Sequence, residues 1–247
     1  MVKSSRFKFS TILKNDDYIV RDHRVHGTRI MPGVTFLDFV FKAMSAKQME
    51  TGKVELKNIV FKEPIFTTDD FDKRIEIAIE RDGYTGKARG SSYKVKNGAI
   101  LDYEEKINFE CEIRFDAEPL RKTLDMERFL KSAKNRMEMD EAYSYARSID
   151  INHYVFMKGL GEIYAGDEYV LAKLHLSDLS REYLGSFYMH PAFLDASTIV
   201  PGILMPKSDM TGDIKPAIPI YIESFRSSRG LGDRCYVYIE KGSIASS

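Results

Sequence analysis

The feature that most constrains the fold of this chain is a strict alternation of apolar and polar side chains between residues 107 and 115. Apolar side chains occupy every second position: Ile107, Phe109, Cys111, Ile113 and Phe115. Period-two alternation indicates a β-strand with one face in a core and the other toward water. A shorter run with isoleucines at 75, 77 and 79 has the same pattern. The sequence therefore predicts at least two half-buried strands in its first half.

A helix and several weaker strands complete the first half. Residues 34–46 carry apolar side chains at helical spacing on a wide face, which predicts a largely buried helix. Residues 56–66 and 93–95 predict weaker strands, with turns at Asp82-Gly83 and Asn97-Gly98. A short β-like run at 17–20 precedes a predicted loop at 22–27. The first half is thus one helix followed by an antiparallel meander.

The second half repeats this composition after a charged helical segment. Residues 162–176 predict a strand pair around Gly166-Asp167, and residues 189–196 open an apolar helix that must end near Pro201-Gly202. Residues 218–225 and 234–240 predict further strands. We therefore divide the chain into residues 1–118, a helical connector at 119–150, and residues 151–247. Two related α+β layers that pair their sheets fit this organisation.

The charge balance and the cysteine content exclude several classes of protein. The chain has 247 residues with 37 Lys and Arg against 37 Asp and Glu, whereas nucleic-acid-binding proteins normally carry a basic excess. Two cysteines are too few for a disulfide scaffold and fit a reducing compartment. No run approaches the ~20 apolar residues of a membrane span, and the N-terminus lacks an apolar signal core. We predict a cytoplasmic globular protein that binds neither nucleic acid nor membrane.

His23 is the first candidate for chemistry. It lies between a predicted strand and a helix that starts at a Pro-Gly pair, and an imidazole with a pKa near ~6.5 is a natural general base. A hydrogen-bonded structural histidine is the alternative, and the residues alone leave both open. His26 could join His23 as a metal ligand, but no Cys or further His lies at ligand spacing, so no metal is predicted.

Asp195 is the second candidate. It lies among apolar residues at or near the start of a predicted helix. One interpretation is a helix cap, in which the carboxylate accepts backbone N–H groups. The other is a partly buried carboxyl group whose pKa is raised by desolvation, so that it serves as a general acid.

Two motifs resemble those of polyketide synthase dehydratase domains. Residues 22–33 resemble the HxxxGxxxxP signature, with His23, Gly27 and Pro32 at its fixed positions. About 170 residues further on, residues 190–196 resemble the family's HPxxxD segment, with Asp195 as its acidic residue. Residues 156–164 and 231–238 resemble other family segments. The resemblance covers most of the chain, and the two motifs in this order and spacing make it specific.

The resemblance implies a double-hotdog fold, in which each half wraps an antiparallel sheet around a central helix. The active site would lie between the halves, with His23 taking the α-proton of a 3-hydroxyacyl thioester and Asp195 protonating the departing hydroxyl group. The other implied residues would bind or position the substrate: Gly27 by close backbone approach, Pro32 and Gly33 at the helix start, and His153, His190 and Pro191.

The resemblance also implies the partners. The acyl chain would arrive on the phosphopantetheine arm of an acyl carrier protein, and elimination needs no bound cofactor or metal. The chain would work beside other domains of a multienzyme synthase, in antibiotic biosynthesis, as a homodimer. A synthase served by separate acyltransferases, the trans-acyltransferase type, fits the composition.

Three departures from the family pattern keep alternatives open. Ile199 replaces the Gln or His that usually follows the aspartate by four positions and helps to orient it. Residues 153–157 read His-Tyr-Val-Phe-Met where the family has a YGPxF-like segment, and the chain ends at Ser247, where further strand sequence is expected. A double-bond isomerase or cyclase on the same tethered chain, and a silent carrier-binding module, are the alternatives.

Overall fold

The structure, a computed structural model, describes residues 4–120, 123–204 and 220–244. The first half contains these elements in order: β1 Ser5–Leu13, α1 Tyr18–Arg21, β2 His23–Val25, β3 Thr28–Met31, α2 Thr35–Ala46, β4 Glu55–Phe61, β5 Ile65–Phe66, β6 Asp72–Asp82, β7 Thr85–Lys96, β8 Ala99–Ile100 and β9 Lys106–Arg114. The remaining elements are α3 Met126–Ser132, β10 Asn135–Glu138, α4 Met139–Ser148, β11 Ile151–His153, β12 Gly159–Ala165, β13 Tyr169–Leu176, α5 Asp178–Glu182, α6 Pro191–Ile199, β14 Tyr221–Arg226 and β15 Arg234–Glu240. None of the helices in these ranges is long and apolar enough to cross a membrane.

The first half is an antiparallel sheet packed against helix α2. The strand order is β1-β6-β7-β9-β4-β14, with β8 beside β7. The alternating segments at 75–79 and 107–115 form β6 and β9, and nine of the twelve residues of α2 are buried, as predicted. A Cβ at Gly90 on β7 would lie 2.5 Å from the ring of Phe36 on α2. The glycine therefore lets this ring pack directly on the sheet.

The second half has its own sheet, in the order β10-β12-β13-β15. The predicted strand pair around Gly166-Asp167 is confirmed as β12 and β13. Helices α4 and α6 contribute to its core, which includes Tyr143, Phe193 and Ala196. Strand β10 and helix α4 lie inside the predicted connector and belong to this sheet and this core. The division at 118/119 and 150/151 stays a prediction.

Two strand pairings join the halves. A small sheet in the order β11-β2-β3-β5 combines β11 from the second half with three strands of the first. Strand β14, which follows α6 in the chain, pairs with β4 at the edge of the first sheet. Of the strand predicted at 218–225, residues 218 and 219 lie outside the described residues. The first of these pairings places β2 beside β11 at the junction of the halves.

The region before β3 departs from the sequence prediction. Residues 17–20 were predicted as β-like, but Tyr18–Arg21 forms α1, with the carbonyl of Asp17 accepting the N–H groups of Val20 and Arg21. The next residues were predicted as a loop, but His23–Val25 forms β2. With four and three residues, the two segments cover little more than one period of the 3.6-residue and 2-residue patterns that identify helices and strands, so long-range packing decides their conformation.

Candidate active site

Three buried side chains from three different elements converge at the junction of the halves. They are His23 on β2, His153 on β11 and Asp195 on α6, and one donor atom of each lies within 4.8 Å of the others. Strands β2 and β11 pair in antiparallel register with His23 opposite His153. Directly opposed residues project to the same face of a sheet. Their rings accordingly lie with centroids 5.0 Å apart.

His23 is held in one tautomer by the neighbouring strand. Its Nδ1–H donates to the carbonyl of Ile30 on β3 over 2.7 Å. Nε2 therefore carries the lone pair of the ring. Burial lowers the pKa of His23, while the charge of Asp195 opposes this and that of His153 adds to it. The result is a neutral imidazole, the form in which histidine accepts a proton.

Asp195 lies in the second turn of α6 and does not cap it. His190 is the cap, because its Nδ1 accepts the N–H of Ala192 over 3.2 Å, and Pro191 occupies the first helical position. The capping interpretation of Asp195 is therefore wrong. Its Oδ2 lies 2.7 Å from Nε2 of His153. Burial would raise the pKa of Asp195, but the hydrogen bond from His153 and the charges of both histidines lower it further than burial raises it.

His153 is enclosed between two rings. The centroid of His23 lies 5.0 Å away on one side and that of Tyr143 lies 5.0 Å away on another. The hydroxyl oxygen of Tyr143 accepts the N–H of Gly159 over 2.8 Å, which fixes the tyrosine ring. Nδ1 of His153 is buried and has no hydrogen-bond partner within the described residues. Only Nε2 of this imidazole is thus engaged there, and it faces Asp195.

Two buried carboxylates tie the halves together on either side of these residues. Asp22, directly before His23, accepts the N–H of Phe156 over 2.9 Å. Asp38 on α2 accepts the N–H groups of Tyr188 and Met189 over 2.7 and 2.8 Å. Burial raises the pKa of Asp38 to about 6. One carboxylate anchors the segment after β11, and the other anchors the segment before α6.

Comparison with known proteins identifies the family. The family described as "Polyketide synthase dehydratase domain" matches residues 2–95, and that described as "Polyketide synthase dehydratase N-terminal domain" matches residues 126–246. The chain belongs to the polyketide synthase dehydratase family. Its curated relatives include polyketide synthase PksL of Bacillus subtilis, 25% identical over 246 residues, which is 98% of this chain and 5% of that protein. The chain thus spans about one-twentieth of that relative.

Solved structures confirm the double-hotdog fold. An N-terminal dehydratase from the difficidin assembly line is 33% identical, with a TM-score of 0.86 and coverage of 96% of this chain and 80% of that one. A monomeric dehydratase domain from a trans AT polyketide synthase split module is 22% identical, with a TM-score of 0.88 and coverage of 97% and 88%. The fold predicted from the two motifs is the observed one.

The other motif residues of the dehydratase domain have local structural roles. His26 and Gly27 have φ of +48° and +72° and form the two-residue β2–β3 turn, a conformation that favours glycine. A Cβ at Gly27 would meet nothing within 4 Å, so the turn alone accounts for it. Pro32 and Gly33 lead into α2, and His190 and Pro191 begin α6. Substrate contacts at these positions, and at His153, stay predictions.

The dehydratase domain offers a donor set that Zn²⁺ accepts, namely two imidazole nitrogens and one carboxylate oxygen. The geometry is that of a hydrogen bond instead. Two ligands on one tetrahedral zinc ion lie about 3.3 Å apart, given zinc–ligand distances of about 2.0–2.1 Å. The 2.7 Å between His153 and Asp195 is too short for this arrangement. We assign no metal to these residues.

The contact between His153 and Asp195 is the feature that sequence reasoning missed. The family resemblance implied only that His153 binds or positions the substrate, and Ile199 only that a residue which orients the aspartate is lost. His153 and Ile199 together indicated this contact. The histidine gained at position 153 can replace the polar side chain that is lost at position 199. The two partners are 42 residues apart, so no local pattern joins them.

Proposed function

We propose that this domain removes water from a 3-hydroxyacyl thioester carried on an acyl carrier protein and releases the 2,3-enoyl thioester. The observation that carries the proposal is the convergence of His23, His153 and Asp195, in which an imidazole nitrogen of His23 and a carboxyl oxygen of Asp195 lie within 4.8 Å of each other. His23 takes the α-proton, and the electron pair of that C–H bond becomes the new double bond. The Cβ–O bond breaks, and the proton of Asp195 converts the departing hydroxyl group to water.

The surroundings of each residue support its role. The Ile30 carbonyl that accepts Nδ1–H of His23 also stabilises the positive charge that the ring gains with the α-proton. Asp195 must hold a proton before turnover. A substrate that fills the site excludes water and strengthens the burial effect, which favours the neutral carboxylic acid. The pair thus supplies the base and the acid that an elimination of water needs.

The start of α2 supports binding of the thioester carbonyl. The N–H groups of Thr35 and Phe36 donate to the carbonyls of Pro32 and Gly33. The N–H groups of Gly33 and Val34 make no backbone hydrogen bond within the described residues. Backbone N–H groups at a helix start stabilise developing negative charge. We assign the carbonyl oxygen to these two groups.

Membership of the family supports a proposal about the partners, and the free thiols support one about the compartment. We propose an acyl carrier protein with its phosphopantetheine arm as the donor of substrate, neighbouring synthase domains, and a synthase of the trans-acyltransferase type. Cys111 and Cys235 are both free thiols, which supports the cytoplasm. A homodimer stays a prediction, because one solved neighbour is described as monomeric.

Intact mass spectrometry tests the proposal. A 3-hydroxyacyl carrier protein is incubated with the unaltered chain, His23→Ala, Asp195→Asn, and His175→Gln as a control histidine on the exposed face of β13. We expect loss of one water with the unaltered chain and the control, and none with the other two. An unchanged mass with a moved double bond or a new ring would indicate an isomerase or cyclase. No change with either hydroxyl epimer would indicate a silent carrier-binding module.

A further inference from the structure

We propose that His153 positions Asp195 and strengthens it as an acid, with Nε2–H donating to Oδ2 so that the other carboxyl oxygen, Oδ1, delivers the proton. The inference rests on the proposed function, in which Asp195 is the acid. The donor that orients Asp195 then comes from β11, because α6 has no hydrogen-bonding side chain four positions after Asp195. Ile199, one helical turn after Asp195, lies on the same helix face at i+4 and cannot hydrogen bond.

The placement of His153 is rigid. Its side chain is 1% exposed, and that of Asp195 is 10% exposed. Strand β11 is held to β2 by the register that sets His153 opposite His23, and Tyr143 packs on the ring from α4. These three groups, His23 from β2, Tyr143 from α4 and Asp195 from α6, are the titratable side chains that contact the imidazole within the described residues. A side chain locked in this way can hold a carboxyl group in one orientation.

The hydrogen-bond inventory indicates which tautomer does this. Nδ1 of His153 has no partner in the part of the chain that the structure describes. A bare lone pair there costs less than an N–H group with no acceptor, because a buried donor without a partner loses its bond to water. Nε2 therefore carries the proton that is donated to Oδ2.

The proton count balances in this arrangement. In the substrate-bound state that the proposed function requires, His23 is ready to accept a proton, and Asp195 carries its proton on Oδ1 while Oδ2 accepts Nε2–H of His153. Afterwards His23 holds the α-proton, the hydroxyl group has left as water, and Asp195 is a carboxylate. The bond from Nε2–H to Oδ2 becomes charge-assisted as the proton leaves, and such bonds are the stronger ones. His153 therefore favours the release of the proton as well as its direction.

The test compares variants of the whole chain. His153→Phe keeps a ring between His23 and Tyr143 but removes the donor, and His153→Gln restores an N–H donor. Acid catalysis contributes about 10²–10⁴-fold to a rate, so we expect a kcat about 100-fold lower for His153→Phe with KM changed less than about threefold. His153→Gln should recover at least about tenfold of this loss, and His175→Phe serves as the matched control.

A second-site change separates positioning from packing. In His153→Phe/Ile199→Gln the new amide, one turn after Asp195, can donate to the same carboxyl group, and we expect it to restore kcat at least about tenfold. Ile199→Gln alone is the control. If His153 only packs, the rates of the variants would follow their thermal stability, and the second-site glutamine would rescue nothing. A kcat for His153→Phe within about threefold of the unaltered chain would overturn the inference, since loss of an acid's support should cost more.

A titration without substrate distinguishes failure of this inference from failure of the proposed function. The ¹³C resonance of the Asp195 carboxyl group is followed against pH and assigned by its loss in Asp195→Asn. Burial without the donor should raise the pKa of Asp195 in His153→Phe, and Ile199→Gln should return it toward the original value. An identical titration in all variants would overturn the inference even if dehydration is observed. If the pKa of Asp195 shifts as expected but the chain does not dehydrate the substrate, the contact between His153 and Asp195 is supported and only the proposed function is contradicted.

Discussion

At the scale of single residues, two buried carboxyl groups differ because their partners differ. Asp38 accepts two backbone N–H groups, and burial prevails, so its pKa is raised to about 6. Asp195 is also buried, but it accepts a hydrogen bond from His153 and lies near two imidazoles, so its pKa is lowered. Neither environment is visible in the sequence, where both aspartates lie in apolar helices. The chemistry of each depends on which other element reaches it.

Asp38→Asn should remove a pH dependence of stability. Because the pKa of Asp38 is raised from 3.8 to about 6 on folding, the folded protein binds this proton more tightly than the unfolded chain, and stability falls as pH rises through that window. As pH rises from acidic to neutral, the free energy of unfolding of Asp38→Asn should therefore increase by about 2–3 kcal/mol relative to that of the unaltered chain. Urea unfolding at a series of pH values measures this. A constant difference across the window would contradict it.

At the scale of elements, the β2–β3 hairpin holds the His23 ring in place. Its two-residue turn needs positive φ at both positions, and β3 provides the carbonyl of Ile30 that orients His23. Asn-Gly is the sequence that this turn type prefers. The HxxxG part of the first motif is thus a strand that carries the imidazole, followed by the glycine that closes the turn.

Gly27→Ala should destabilise the fold by about 1–2 kcal/mol, because alanine at positive φ is strained. His26→Asn, the matched change at the neighbouring turn position, should leave stability equal or slightly higher, since the His26 contact with Asp150 is exposed and contributes little. Thermal unfolding followed by circular dichroism compares the two. Equal losses for both variants would refute the role given to the turn.

The long, periodic elements were predictable from the sequence, and the short ones were not. Strand β9 and helix α2 cover several periods of their patterns, so local side-chain spacing sufficed. Helix α1 and strand β2 have four and three residues, and neighbouring strands fix their conformations. At the site, the motifs indicated His23 and Asp195. The third member, His153, depends on the pairing of β11 with β2, which no local pattern encodes.

At the scale of the whole molecule, the halves share strands. Strand β14 comes late in the chain yet pairs with β4 at the edge of the first sheet, and its Phe225 packs on Phe41 of α2 with ring centroids 5.9 Å apart. Strand β11 similarly pairs with β2. Each half thus depends on backbone hydrogen bonds from the other, and the site lies at one of these shared strands.

Residues 1–118 alone should therefore fail to fold cooperatively. Without β14 and β11, both β4 and β2 have an unpaired edge, and exposed edges promote aggregation. Co-expression with residues 119–247 should restore a soluble complex. Size-exclusion chromatography and near-ultraviolet circular dichroism of the two samples test this. Cooperative thermal unfolding of the isolated fragment would show that the halves are independent.

The pairing of His23 with His153 across two neighbouring strands fixes the distance between these two residues. Adjacent strands in any sheet lie about 4.8 Å apart, a distance set by peptide geometry and not by side chains. The distance between His23 and His153 is therefore inherited from the backbone. Side chains elsewhere in the molecule can therefore change without altering the distance between these two residues.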